Sequence, residues 1–190
     1  MADLEARLAR IVTESPTLMR VLTTLRALDL PQWRLVSGAV YQTVWNSLTG
    51  RDPDYGVRDY DLAYFDPDTS WDAEDAFIKR VAAAFEAPLS QMVEVRNQAR
   101  VHLWFEGKFK EPYTALKSAD EALERFVSPA FSCGLKLLPD NKIDIVAPFG
   151  LDDLFAMYIR PNPLRPLAQG WVRTTRSAKA RWPELTVAEV

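Results

Sequence analysis

The sequence predicts a single α/β (α+β) domain, built as a mixed β-sheet flanked by helices. The chain has 190 residues, of which 48% are hydrophobic and 26% are charged. This length and composition suit one domain with a full hydrophobic core. Segments with the apolar period of a helix alternate along the chain with short apolar segments typical of strands. That alternation favours a sheet with helices packed against it.

Composition narrows the classes of protein to which this chain can belong. Its single cysteine, Cys133, excludes an internal disulfide framework and a cysteine-rich zinc site. The N-terminal residues Met-Ala-Asp-Leu-Glu are acidic where a secretory signal peptide needs basic charge. No apolar run has the length that spans a bilayer. We therefore expect a cytoplasmic protein that is not inserted in a membrane.

The first third of the chain predicts two helices, a short strand and a third helix. Apolar residues recur at helical spacing over residues 3–13. Ser15-Pro16 then provides a cap and a first-turn proline for a helix that runs to about Leu28. Residues 33–37 are predicted as a strand. The next predicted helix has apolar residues at helical spacing from Val40 to Leu48 and ends at Gly50.

The middle of the chain predicts two strands around one helix. A loop rich in Asp, Pro and Gly covers residues 51–58 and leads into a strand over 60–65. The helix over 71–86 has an acidic first turn, which suits the helix macrodipole. Residues 92–96 are predicted as the next strand. Residues 99–106 fit either an extension of that strand or the start of a helix.

The last predicted elements are a short helix, a hairpin and a final helix. Ser118 to Glu121 form a capping-box pattern before a helix that ends near Val127. Residues 131–138 and 143–146 predict a hairpin. Residues 151–159 predict a helix, after which three prolines are expected to end regular structure.

Charge divides the chain into two parts. Residues 1–159 have a net charge of −7 and residues 160–190 a net charge of +4. We therefore predict a domain over 1–162, including the N-terminal helices, and a basic C-terminal tail over 163–190. Such a tail either faces phosphate or nucleic acid or is a solvated segment. The acidic main body does not indicate nucleic acid as the partner.

The strongest chemical signal is the run from Asp59 to Leu62, which contains Asp-x-Asp. On a strand, Asp59 and Asp61 share one face, while Tyr60 and Leu62 face a core. Two carboxylates at this spacing repel each other unless a cation lies between them. Hard oxygen ligands suit Mg²⁺ or Mn²⁺. The alternative is a structural pair in which one Asp caps the preceding loop.

A second signal is Ser37-Gly38, which joins a predicted strand to a predicted helix. The free backbone N–H groups at a helix start can hold a phosphate, although an ordinary turn is the alternative. Taken together with the Asp-x-Asp strand, Ser37 and Gly38 predict a metal-bound triphosphate site. Further along, Arg96, Asn97 and Arg100 are predicted to bind the nucleotide, because arginine grips phosphate with two donors. For these three the alternative is a polar sheet edge.

Three stretches of the sequence resemble a small family of bacterial nucleotidyltransferase-like proteins. They are Leu35-Val-Ser-Gly to Tyr64-Phe-Asp66, Val93-Glu-Val-Arg-Asn-Gln-Ala-Arg-Val-His-Leu-Trp104, and Ala147-Pro-Phe-Gly-Leu-Asp-Asp-Leu-Phe155. The resemblance extends to about Asn162. It implies the nucleotidyltransferase fold, whose pattern is a Gly-Gly or Gly-Ser turn, an Asp-x-Asp strand and a third acid on the next strand.

The resemblance implies roles for individual residues. Asp59 and Asp61 match the paired carboxylates, and Glu94 matches the third acid, with Asp144 as its rival. These three carboxylates would be catalytic and would hold two divalent cations, Mg²⁺ or Mn²⁺. Ser37-Gly38 matches the phosphate-binding turn in reversed order.

The implied reaction transfers a nucleotidyl group from a nucleoside triphosphate to an unknown acceptor. Two alternatives stay open at this point. One is a catalytically inactive nucleotide-binding or regulatory protein with the same fold, because a fold does not establish a function. The other is a metal-dependent phosphohydrolase.

Overall fold

The centre of the protein is a five-stranded mixed sheet, seen in a computed structural model that describes residues 2–190. Its strands are β1 (Arg34–Val36), β2 (Tyr60–Tyr64), β3 (Val93–Asn97), β4 (Gly134–Leu137) and β5 (Ile143–Val146). They lie in the order β3-β2-β1-β4-β5. β2 and β3 are parallel, whereas the other neighbouring strands are antiparallel. The predicted mixed sheet is therefore confirmed.

Helices of very different lengths pack around this sheet. They are α1 (Ala2–Thr13), α2 (Pro16–Leu28), α3 (Gly38–Leu48), α4 (Trp71–Ala83), α5 (Leu89–Met92), α6 (Phe105–Phe109), α7 (Asp152–Phe155) and α8 (Trp171–Arg181). Short 3-10 helices cover Gln98–Leu103, Asp120–Arg125 and Pro129–Phe131. As predicted, the Ser15 side chain caps α2 by accepting a hydrogen bond from the Leu18 N–H. Within residues 2–190, no helix has both the length and the apolar character needed to cross a membrane.

The structure corrects the predicted helix over 151–159. That stretch forms only the single turn α7, followed by strand β6 (Tyr158–Ile159). Met157 has a φ of 52°, a left-handed conformation that ends a helix and is uncommon for a residue with a side chain. β6 then pairs in parallel with β7 (Thr186–Val187). The ambiguous stretch at 99–106 is a 3-10 helix that leads into α6.

Residues 163–190 also differ from the predicted tail, because they contain α8 and β7. The prolines at 161, 163 and 166 end only the preceding segment. In α8, Trp171, Thr175 and Ala178 are buried and share one face of the helix. Trp182 is fully buried in the main hydrophobic cluster, and its Nε1 donates to Asn46 Oδ1 over 2.9 Å. The basic segment thus packs onto the domain core.

The two faces of the sheet have different roles. Leu35, Leu62 and Val95 lie on the face covered by the main core. Val36 and Ala63 lie on the opposite face, where Leu123 packs against them. Because side chains alternate along a strand, Asp61 and Glu94 share this second face. The carboxylates therefore stand on the side of the sheet that carries only a small apolar cluster.

The packing of the C-terminal segment can be tested with Trp182→Ala. We expect the variant to lose about 3–5 kcal/mol of unfolding free energy, since it removes a buried aromatic ring and a buried hydrogen bond. Chemical denaturation measures this loss. Trp71→Ala is the matched control, because Trp71 is 58% exposed, and it should cost no more than about 1 kcal/mol. Equal losses in the two variants would show that the segment does not pack on the core.

Candidate functional site

Strand pairing brings two of the predicted carboxylates side by side. In the parallel β2–β3 ladder, Asp61 lies opposite Glu94. On its other side, Asp61 lies opposite Val36 of β1, the residue that precedes Ser37. Partners in adjacent strands point to the same face of a sheet. Asp61, Glu94 and the turn after β1 therefore meet at one place.

Asp59 reaches the same place from the loop that leads into β2. The strand begins at Tyr60, so Asp59 lies one residue before the strand rather than on it. Its Oδ1 lies 3.5 Å from the point that a Cβ on Gly38 would occupy. The carboxylate thus lies directly beside the backbone at the start of α3. This contact joins the Asp-x-Asp run to the Ser37-Gly38 turn, as the sequence predicted.

The turn itself has a constrained backbone. Ser37 has a φ of 64° and a ψ of −137°, a conformation that glycine adopts easily and other residues rarely do. Its carbonyl accepts hydrogen bonds from the N–H groups of Val40 and Tyr41. A Cβ at Gly38 would lie only 2.7 Å from Nε2 of Gln42. The first N–H groups of α3 have no partner within the helix and are available to an anion.

The carboxylates influence one another electrostatically. Burial and the nearby Asp59 charge raise the pKa of Asp61 to about 6, against the opposing effect of a hydrogen bond from Ser37. Burial and the Glu94 charge also raise the pKa of Asp59, whereas Arg181 and Arg58 lower it. Both shifts mean that negative charge is disfavoured at this place without a cation. A bound cation would therefore stabilise the charged forms of Asp59 and Asp61.

The donor set fits a hard divalent cation, although the three acids are not gathered into a finished cage. Among residues 2–190, no three His, Cys, Asp or Glu side chains form a group that could hold a metal ion. The Glu94 carboxylate lies 3.4 Å from the Arg96 guanidinium, on the same strand. Asp59 and Asp61 supply oxygen ligands that repel each other, and such ligands suit Mg²⁺ or Mn²⁺. Strand register places Glu94 opposite Asp61, but within residues 2–190 its carboxylate does not form a shared metal-binding group with both aspartates.

Among the predicted nucleotide-binding residues, Arg96 is at the site. It is exposed on the second face of the sheet, two residues beyond Glu94, and its charge lowers the pKa of Asp61. Its Nη1 donates to the Val95 carbonyl over 2.7 Å. The rest of the guanidinium lies beside the carboxylates, where it can contact a phosphate.

Asn97 and Arg100 have a different place from the one predicted. Asn97 is buried at the far end of β3, and its side chain makes four hydrogen bonds to the backbone of residues 66, 68 and 99. Arg100 forms an ion pair with Glu74 and lies over the Trp71 ring. The Asn97 side chain therefore holds the end of β3 to the loop after β2, and Arg100 joins the 3-10 helix after β3 to α4.

Glu94 and Asp144, the two candidates for the third acid, lie in different parts of the sheet. Asp144 lies on β5, three strands from β2. It forms an ion pair with Arg34, which also donates to Asp120 over 2.8 Å. Asp144 therefore neutralises a half-buried arginine. Glu94, opposite Asp61, is the acid in reach of the paired carboxylates.

Arg181 is a site residue that the sequence analysis missed. It ends α8, donates to the Gly56 carbonyl over 3.0 Å, and its charge lowers the pKa of Asp59. The excess of basic residues after position 160 was the available signal. That excess was compatible with either a phosphate-facing or a solvated segment, and it did not show which residue would reach the carboxylates.

A cleft of about 600 Å³ adjoins the turn, and the sequence analysis missed it as well. It begins at Ser37 and Tyr41 and is lined by basic and aromatic residues from two distant parts of the chain. Phe105, Lys108 and Phe109 come from α6, and Arg173 comes from α8. No local pattern joins these segments, because only the tertiary fold brings them together.

Comparison with known proteins agrees with this geometry. The chain matches the model of a family described as nucleotidyltransferase over residues 23–187. It is also similar to a solved NMR structure described as a CCA-adding enzyme head domain, with 26% sequence identity and a TM-score of 0.76. That similarity covers 96% of this chain and 95% of the other. No curated protein matches the chain. The chain therefore belongs to the nucleotidyltransferase family and has its fold, as the sequence predicted.

The raised pKa of Asp61 gives a pH test in metal-free buffer. The folded-state pKa of about 6 lies above the ordinary value of 3.8, so the folded protein holds the extra proton. Stability from this group is full below about pH 4 and is lost as the pH rises to 6. The loss amounts to roughly 3 kcal/mol at 1.36 kcal/mol per pKa unit.

Asp61→Asn removes this titration. Between pH 4 and pH 7 in EDTA, we expect the unfolding free energy of the wild type to fall by about that amount relative to the variant. Asp3→Asn, on the exposed surface of α1, should track the wild type. A constant difference between wild type and Asp61→Asn across this range would show that the pKa of Asp61 is not raised.

Proposed function

We propose that this chain transfers a nucleotidyl group from a nucleoside triphosphate to an acceptor hydroxyl, using Asp59, Asp61 and Glu94. The observation that carries the proposal is the meeting of Asp59 with the Gly38 backbone at the start of α3. It joins a carboxylate site to an anion site, and a metal-bound triphosphate needs both. Membership of the nucleotidyltransferase family supports nucleotidyl transfer in general.

The triphosphate would bind at the Ser37-Gly38 turn. The N–H groups of Gly38 and Ala39, at the start of α3, would face an anion there, and the helix dipole would add a partial positive charge. Gly38 allows close approach, because a side chain at this position would meet Gln42 and Asp59. Arg96 and Arg181 lie beside the carboxylates and supply further positive charge.

Asp59 and Asp61, with Glu94 from the next strand, are the residues that would hold Mg²⁺ or Mn²⁺. Burial, followed by neighbouring negative charge, raises the pKa of both aspartates, so a cation bound there would stabilise their charged forms. When bound, a divalent ion there would neutralise charge on the phosphates during transfer.

The chain's own residues account for the movement of the proton. The acceptor oxygen forms a bond to the α-phosphorus, and pyrophosphate leaves with the electrons of the broken bond. The hydroxyl proton would go to one of the carboxylates, which acts as the general base.

The structural neighbour supports the choice of donor. Its description names a CCA-adding enzyme head domain, and adding nucleotides to an acceptor is nucleotidyl transfer. Similarity over nearly the whole of both chains supports a nucleoside triphosphate as donor for this chain too.

A catalytically inactive nucleotide-binding protein is the second candidate. Two observations favour it: the positive φ at Ser37, where the family pattern has glycine, and the pairing of Glu94 with Arg96. Both could weaken phosphate or metal binding. This candidate shares the binding site with the first and differs only in turnover.

Thermal denaturation with Mg²⁺ or Mn²⁺ and each common nucleoside triphosphate tests the site. Ligand at about a hundred times its dissociation constant adds roughly 2.7 kcal/mol of stability, which raises the Tm by about 5–10 °C for a chain of this size. Asp61→Asn should lose most of this gain, whereas Asp3→Asn should keep it. Wild type without a shift under every combination would rule out the proposed site.

Pyrophosphate release then separates the two candidates. The enzyme should release pyrophosphate in the presence of a cell extract that supplies the acceptor, and Asp61→Asn should reduce the rate at least about a hundredfold. A thermal shift with no pyrophosphate release would support the inactive binding protein.

A further inference from the structure

The side chain of Gln42 has a buried polar atom that the fold itself does not account for. Gln42 is only 5% exposed, yet within residues 2–190 its Oε1 has no hydrogen-bond partner. A buried carbonyl oxygen without a partner costs free energy, because it has lost its hydrogen bonds to water. Since such atoms are rare in folded proteins, this one indicates an interaction that forms when a ligand is bound.

Helical spacing directs Gln42 towards the loop that leads to Asp59. Gly38, Gln42 and Asn46 are one turn apart and lie on one stripe of α3. At one end of this stripe, Gly38 borders the Asp59 carboxylate. At the other end, Asn46 donates to two backbone carbonyls of the same loop. Gln42 lies between these two contacts, so it faces that loop as well.

The Gln42 carboxamide also reaches the start of α3. Its Nε2 lies 2.7 Å from the point that a Cβ on Gly38 would occupy, and Asp59 Oδ1 lies 3.5 Å from the same point. Burial raises the pKa of the neighbouring Tyr41 hydroxyl, and a hydrogen bond with Gln42 opposes that rise. An amide donates only through its nitrogen, so this contact engages Nε2 and leaves Oε1 free.

The two aspartates alone are an incomplete set of metal ligands. Mg²⁺ and Mn²⁺ prefer several hard oxygen ligands, and side-chain amide oxygens are among those that proteins supply. Among residues 2–190, no third acid joins Asp59 and Asp61 in a group that could hold a metal ion. A neutral amide oxygen would add a ligand without adding to the repulsion between the carboxylates.

We propose that the carboxamide oxygen of Gln42 is a ligand of the divalent ion held by Asp59 and Asp61. The inference rests on the proposed function and deepens it. It gives the buried Oε1 a partner and makes α3 a source of metal ligands as well as of the phosphate-binding turn. Waters and phosphate oxygens would fill the remaining positions around the ion.

Titration with Mn²⁺ alone, followed by electron paramagnetic resonance of the free ion, measures the Kd without any turnover. Gln42→Met keeps an unbranched side chain but removes the oxygen, and we expect it to raise the Kd for Mn²⁺ about tenfold. Gln42→Glu keeps an oxygen and adds a negative charge, so it should bind Mn²⁺ more tightly than the wild type. Gln98→Met is the matched control. Gln98 is also buried, but it donates to the Arg96 carbonyl, so the Kd should not change.

Thermal denaturation separates a lost ligand from a damaged fold. In EDTA, Gln42→Met should melt at about the same temperature as the wild type, because it also removes the unpaired oxygen. At one Mn²⁺ concentration well above both dissociation constants, the Tm of the wild type should rise by about 3–5 °C more than that of the variant.

The outcomes separate this inference from the proposed function. If wild type binds Mn²⁺ and Gln42→Met binds it equally well, Oε1 is not a ligand and the inference alone fails. Should Gln42→Met not fold, Gln42→Glu decides, because a Kd equal to or above that of the wild type would contradict the inference. If wild type binds no Mn²⁺, the proposed function fails together with the inference.

Discussion

The carboxylates of Asp59, Asp61 and Glu94 lie near the start of the paired strands β2 and β3 and repel one another. The charged groups around them are arranged in a way that reduces this repulsion. The distance between Asp61 and Glu94 is fixed, because the parallel β2–β3 ladder pairs these two residues. Asp59 adds a third charge from the preceding loop. Burial raises the pKa of both aspartates, and the neighbouring negative charges raise it further. Arg96 and Arg181 relieve part of the repulsion, and a divalent cation would relieve the rest.

The position of Asp59 depends on a buried polar contact far from it in sequence. Asn46 donates to the carbonyls of Pro53 and Tyr55, which fixes the loop that leads to Asp59. Its Oδ1 accepts from the buried Trp182 indole. The C-terminal segment therefore helps to hold the loop before Asp59 in place, and it also brings Arg181 to the carboxylates. Losing this segment would disturb the site as well as the core.

Local patterns in the sequence predicted much of the fold and the central part of the site. Alternation along a strand placed Tyr60 and Leu62 in the core, and the capping signal at Ser15 was read correctly. The Asp-x-Asp run and the Ser37-Gly38 turn were found because their chemistry lies in neighbouring residues. Asn97 and Arg100 were misplaced because closeness to Glu94 in sequence is not closeness in space. Asn97 lies three residues on and on the opposite face of β3, and Arg100 lies beyond the strand in a 3-10 helix.

The structure of the C-terminal segment, in contrast, could not be predicted from local sequence patterns. Its prolines suggested an irregular tail. The structure instead has a helix there, because Trp171, Thr175 and Ala178 lie on one helix face and pack against the core of the domain. The cleft between α6 and α8 escaped the sequence analysis for the same reason. The cleft is formed by segments about sixty residues apart in sequence, and no sequence pattern within either segment predicts that they come together.

Anomalous X-ray diffraction from crystals grown with Mn²⁺ and a nucleoside triphosphate tests the central claim most directly, because the ion identifies its own ligands. We expect a manganese peak within coordination distance of the Asp59 and Asp61 oxygens, beside the N-terminus of α3. Crystals of Asp61→Asn should lack that peak. A well-ordered nucleotide with manganese bound only elsewhere, for example at Asp144 or Asp140, would contradict the account.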